Sequence, residues 1–275
     1  MQQLEQPLDQ ADSPVVAGLV VAAALASLVV GWALAARLRR GLPLLAARIA
    51  PPARWSGGDV AAVFAAVIVT QILAAAVVPE DAPLSSRLAA SIAGMAVAAL
   101  VGLWHLRSRG ATWAELGVTV ADWRHDLRIA VIGLGLVLWP LLALATLLDR
   151  IVPYAHPIID YVTTQRDPAA IALVVLSAVV VAPLVEEFLF RRVLQGWLLE
   201  RFPGDTVAAI CLQALAFGLA HAGQGLAPVP LALFGIVLGT IVLRTGSLLP
   251  AVILHGLFNA TSIALVLAGG GPAKG

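Results

Sequence analysis

Long apolar runs, separated by short polar stretches, fill the chain from Pro14 onwards. A membrane-crossing helix needs about 20 predominantly apolar residues, and the runs predict eight such helices. They cover 14–36, 60–78, 88–106, 129–148, 168 towards 199, 206–222, 228–243 and 248–268. The first is opened by Ser13 as N-cap and Pro14 at the first helical position. The fifth follows Asp167 and is too long for one straight crossing. Between the runs, 37–59 and 108–128 are expected as short interfacial helices and loops. The stretch ATWAELGVTVADW mixes Trp with charge, as membrane-surface segments do, and 151–166 reads similarly on the other face. The fold class is therefore all-α: a polytopic membrane helical bundle of about eight transmembrane helices in one integral membrane domain. Residues 1–150 hold the first four helices and 151–275 the last four.

Composition agrees with this pattern. The chain is 60% hydrophobic and only 12% charged, with a mean hydropathy of +0.95. A soluble domain carries about twice that charged fraction. The net charge of +1 says nothing about nucleic acid, and no basic tract points to it, so no nucleic-acid partner is expected. The partners implied are the lipid bilayer and a protein or peptide. Cys211 is the single cysteine, so no intrachain disulfide forms, and it is expected as a small core residue. The first residues, MQQLEQPLDQADSP, lack the basic region of a signal peptide, so the first run is expected to stay as a span. Thirteen of the 17 Lys and Arg residues lie in the connections after spans one, three, five and seven. Basic loops stay in the cytoplasm, so both termini are expected on the non-cytoplasmic side of a plasma or inner membrane.

Few ionisable residues remain inside the runs: Glu186, Glu187, His221 and His255, with the amide of Asn259 beside the last. A charge at the bilayer centre costs at least ~2.5–3.5 kcal/mol, so such residues face a cavity or a partner. All of them fall in the C-terminal hundred residues. Glu187 and Arg191 are four apart with Glu on the N-terminal side, the favourable orientation for an ion pair. Glu186 is turned about 100° away, so Arg191 cannot serve both carboxylates equally. Pro183 removes a backbone N–H just before the pair and is expected to kink the span and loosen packing there. Phe217 and His221 are four apart, as are His255 and Asn259. A carboxylate, two imidazoles and an amide converging between helices would activate a water and stabilise an oxyanion. Gly235 and Gly239, spaced GxxxG, predict close helix packing in the seventh run.

These residues form three motifs in order: EEFLFR is EExxxR, FGLAH is FxxxH and HGLFN is HxxxN. Together, with RTGSLLPAVILH leading into the last, they resemble the CPBP intramembrane proteases. That family includes the type II CAAX prenyl endopeptidases and the bacteriocin-processing and immunity proteins of bacteria. The resemblance covers about 168–263. It implies hydrolysis of a peptide bond within the membrane. Glu186 would polarise the attacking water and His221 would hold or share it. His255 and Asn259 would stabilise the oxyanion, with Glu187, Arg191 and Phe217 in support.

The resemblance leaves the metal open. Glu186, His221 and His255 would supply three zinc ligands with the fourth position for water, making Zn2+ the candidate cofactor. No HExxH is present, and a glutamate-activated water without metal is the preferred reading. One depth does not match: Glu186 and His255 approach the cytoplasmic half, whereas His221 lies some 15 residues, about 22 Å, into its run. Convergence requires the sixth run to start deeper or to tilt. Two other functions are consistent with a Glu/His set, a catalytically silent immunity or scaffold protein and a proton-relay transporter. The paired motifs, rather than residues strung along a path, favour the protease.

Overall fold

Proline, serine and aspartate set where the helices begin. The computed structural model describes residues 14–45, 51–119, 121–153 and 167–269. Helix α1 (Pro14–Arg39) starts on a proline. Helix α2 (Gly57–Ala76) starts on Ser56, whose side chain accepts the Asp59 N–H while the Asp59 carboxylate accepts the Ser56 N–H, closing a capping box. Helix α3 (Leu84–Ser108) follows Pro83, and α4 (Trp123–Asp149) carries Pro140 inside it. Helix α5 (Pro168–Arg201) starts on Asp167, whose side chain accepts the Ala169 N–H at 3.0 Å. Asp205 caps α6 (Thr206–Leu219) in the same way, through Ala208 N–H at 2.9 Å. Helix α7 (Pro228–Thr245) ends at Gly246, whose φ of +67° gives the left-handed cap that glycine adopts most readily. Helix α8 (Leu249–Gly269) completes the described fold.

The all-α polytopic bundle is borne out. Among the described residues there is no strand, and seven helices are long and apolar enough to cross a membrane. The exception is α6. At 14 residues it is about 21 Å long, short of the roughly 30 Å hydrocarbon core. The expected full sixth span is thus corrected: the helix stops at Leu219 and His221 lies in the turn that follows. Gly223 and Gly225 have φ of +98° and +59°, which an α-helix cannot continue through. The turn brings Gly225 against the Pro153 carbonyl beyond the end of α4.

Helix α5 is the central element. Val185, Phe188, Leu189, Phe190 and Val193 are buried in the main core, which also takes residues from α2, α4, α6, α7 and α8. Pairs α2/α3 and α6/α7 pack beside it, and α8 packs between α4 and α5. Around Pro183 the helix widens into π-helical segments at Ser177–Val181 and Glu187–Leu194. Packing differs on the two sides of Pro183: none of Ser177–Val181 is buried, whereas Glu187 to Val193 all are. Cys211 faces outward instead of entering the core; a thiol is apolar enough for a lipid-facing surface.

The connections after α1, α3 and α7 gather at the end where α5 finishes. Trp55 donates its indole N–H to the Val193 carbonyl at 2.8 Å. Arg192 donates to the carbonyls of Glu115 and Pro51. Leu248 N–H bonds Gly117 O at 3.1 Å, and Ser247 Oγ bonds Asp126 Oδ2 at 3.1 Å. The arginine-rich connections therefore share one end of the bundle, as their charge implied. The described parts of 37–59 and 108–128 contain no separate interfacial helix: α1 runs to Arg39, α2 starts at Gly57 and α4 at Trp123. Most of 151–166, expected on the other face, lies outside the described residues.

Glu115 anchors this end. Its carboxyl is held below the usual carboxylate range, chiefly by the Thr112 N–H, with the Thr112 hydroxyl and Arg54 adding to that against the opposing effect of burial. A depressed pKa stabilises the fold above the ordinary value near ~4.3, and that contribution is lost as pH falls through the folded value. Glu115→Gln should cost about 1–3 kcal/mol at pH 7, and the gap to wild type should close on acidification below about pH 4. Thermal unfolding in detergent across that range measures it, and a gap that persists at low pH contradicts the assignment.

The GxxxG expectation in α7 holds. Gly235 lies against Ala214 of α6, and a Cβ there would sit 3.0 Å from its Cα. Gly239 faces two buried glutamines. Gln195 donates to Gly239 O and Gln213 to Gly235 O, each at 2.9 Å. Gly218 on α6 meets backbone directly: a Cβ there would lie 2.5 Å from the Pro228 carbonyl. Backbone cannot yield cheaply, so Gly218→Ala should cost about 1–3 kcal/mol. Gly31→Ala on α1, with nothing within 4 Å, should instead be neutral or gain up to about 1 kcal/mol. Melting temperatures of the two variants, compared side by side, check this.

Candidate active site

The three motifs meet where α5, α6 and α8 touch. On α5 the carboxylates separate as the 100° rotation requires. Glu187 points inward, with its side chain fully buried, whereas Glu186 keeps 21% of its side-chain surface exposed. Arg191, one turn on and also fully buried, lies with Nε 3.1 Å from Glu187 Oε2. From α8, His255 Nδ1 lies 2.8 Å from Glu187 Oε1. An ionised carboxylate only accepts, so Nδ1–H donates to it. That leaves His255 Nε2 as the ring atom facing Glu186, 3.7 Å from Oε2.

Phe217 joins α6 to this group. Its ring is fully buried. Its face carries the Arg191 guanidinium 4.0 Å from the centroid, a cation–π contact between two fully buried side chains. Phe217 also meets His255 and His221 edge-to-face, with centroids at 5.8 Å and 5.1 Å. The aromatic expected only in support thus sits between the two histidines. His221 donates its Nδ1–H to the Phe217 carbonyl at 2.9 Å, which leaves Nε2 as the free acceptor.

The structure brings Glu186, Glu187, Arg191 and His255 into direct contact. His221 joins them through the Phe217 ring. The contacts of Phe217 with Arg191 and His255 bring the end of α6 to the level of the carboxylates. Asn259 donates one Nδ2–H to the Ala178 carbonyl of α5 at 2.8 Å. Sequence reasoning missed Phe234 on α7, whose ring packs edge-to-face on His255 at 5.5 Å and against Phe258 at 4.7 Å. The signal was its place next to Gly235, where α7 comes close.

For a metal, the donor set fits poorly. Among the described residues no three His, Cys, Asp or Glu side chains converge as ligands. Phe217 stands between the two histidines and keeps their rings apart.

Residues 168–261, which contain all three motifs, match the family model described as type II CAAX prenyl endopeptidase Rce1-like. This segment is similar to that family. The resemblance read from the motifs is thereby borne out over α5 to α8, with residues 1–167 outside the match. No curated protein and no solved structure matches the chain. Glu186, Glu187, Arg191, His221 and His255 all lie within the matched segment.

Removing one member of the Glu187–Arg191 pair leaves a buried charge uncompensated, at a cost of about 3–5 kcal/mol. Arg191→Met should therefore lower the melting temperature sharply, and the double change Arg191→Met with Glu187→Met should recover most of the loss. A double variant as unstable as the single one would show that the pair is not what the site depends on.

Proposed function

We propose that this protein is an intramembrane endopeptidase in which Glu186 activates a water to cut a peptide bond of a membrane-associated protein or peptide. The observation that carries the reading is the division between two adjacent carboxylates. Glu187 is consumed by Arg191 and His255, while Glu186 stays partly exposed beside a free imidazole nitrogen. The family match over this segment supports peptidase chemistry.

The steps follow from the free atoms. A water donates one hydrogen to the Glu186 carboxylate and the other to His221 Nε2, which directs an oxygen lone pair at the scissile carbonyl. Glu186 takes its proton as the C–O bond forms and the carbonyl electrons move onto oxygen. His255 holds its Nδ1–H on Glu187, so Nε2–H exists in the imidazolium form. Glu187 and Glu186 stabilise that charge, and Nε2–H donates to the oxyanion. Collapse breaks the C–N bond, and Glu186 returns its proton to the leaving nitrogen. Phe217 keeps the histidines apart and in place.

The protein acts within a lipid bilayer, with the arginine-rich end of the bundle in the cytoplasm and both termini on the opposite side. Purified protein in detergent, incubated with an internally quenched peptide library, tests the activity. Glu186→Gln should lower the cleavage rate by about 10²–10⁴-fold while leaving the melting temperature near that of wild type. Unchanged cleavage in Glu186→Gln would remove Glu186 from the reaction.

A further inference from the structure

Asn259 lies on the same face of α8 as His255, one turn further along, yet its amide is spent on backbone. The reason is Pro183. In the π-helical segment the Ala182 N–H bonds Ser177 O, five residues back. The next residue, which would serve Ala178 O in the same register, is Pro183 and has no N–H. Ala178 O thus loses both of its helical donors. The Asn259 amide supplies the replacement at 2.8 Å. One turn away, Gly256 brings α8 so close that a Cβ would lie 2.5 Å from Val179 O, the carbonyl to which an α-helical residue 183 would have bonded. Helix α8 therefore grips α5 at two levels. His255 holds Glu187 on one side of Pro183, and Asn259 with Gly256 holds the widened backbone on the other. Glu186 lies between the two grips.

We propose that Asn259 is a positioning residue: by satisfying the carbonyl that Pro183 orphans, it fixes the π-helical register of α5 that aims Glu186 at the water. This rests on the endopeptidase reading and replaces the oxyanion contact that the resemblance assigned to Asn259. An unpaired carbonyl within the membrane is costly. Without the amide nothing holds Ala178 O in the π-helical register, and a return to the α-helical register, in which the Ala182 N–H serves Ala178 O, turns Glu186 relative to α8. In a Pro183→Ala background residue 183 has an N–H, Ala178 O regains a helical donor, and the demand on Asn259 falls.

The decisive experiment is a double-mutant cycle on kcat with the same quenched peptides, together with hydrogen exchange of the α5 amides around Pro183. Asn259→Ala alone should lower kcat about 10²-fold, the size typical of losing one well-placed polar contact at a reaction centre. In the Pro183→Ala background the same change should cost only a few-fold. Exchange around 177–186 should rise in Asn259→Ala and return towards wild type in the double variant. An oxyanion donor would instead lose the same factor in both backgrounds and leave α5 exchange unmoved; either result overturns the proposal. The exchange measurement needs no activity. If no variant, wild type included, cleaves any peptide, the endopeptidase reading fails on its own, while unmoved exchange in Asn259→Ala still rejects the clamp.

Discussion

The fold is organised around one buried charge. Glu187 has no exposed surface, and an ion moved from water into such a place costs several kcal/mol even after relaxation. Each neighbour answers that cost differently. Arg191 supplies the opposite charge from the same helix, and His255 a hydrogen bond from α8. The guanidinium then needs its own compensation. Its NH1 and NH2 have no hydrogen-bond partner among the described residues, and the face of Phe217 from α6 takes their place. Three helices are thus tied through one carboxylate, and the aromatic at their junction seals them from solvent.

This arrangement gives adjacent, identical side chains opposite characters. Nothing intrinsic to Glu186 distinguishes it from Glu187. Rotation by one residue along the helix moves it out of the ion pair and into contact with partial solvent. Glu187 is thereby fixed between Arg191 and His255, while Glu186 keeps an exposed edge beside His255 Nε2.

Much of this was legible in the chain because helical spacing is legible. EExxxR placed Glu187 and Arg191 on one face and Glu186 off it, and the distances follow. FxxxH and HxxxN named the other two helices that meet α5. The bundle was legible from apolar run lengths, except where a run is cut by backbone geometry: α6 ends because glycines beyond it take positive φ, which apolarity does not report. Pro183 was visible, but its consequence was not, since π-helical widening depends on what covers the freed carbonyls. The role of Asn259 was hidden for the same reason. A motif states which residues share a face, and says nothing about a backbone oxygen on another helix. Gln195 and Gln213, buried against the glycines of α7, carried no periodic signal at all.

The short connection between α7 and α8 has a mechanical consequence. Ser247 and Leu248 are bonded to Asp126 and Gly117, which belong to the start of α4 and the connection after α3. Helix α8 is therefore pinned at its first turn and carries His255 a short way beyond the pin. His255 beyond the pin is tied to Glu187, and Asn259 beyond that to the Ala178 carbonyl, so α8 is held to the rest of the bundle at three successive points along its length.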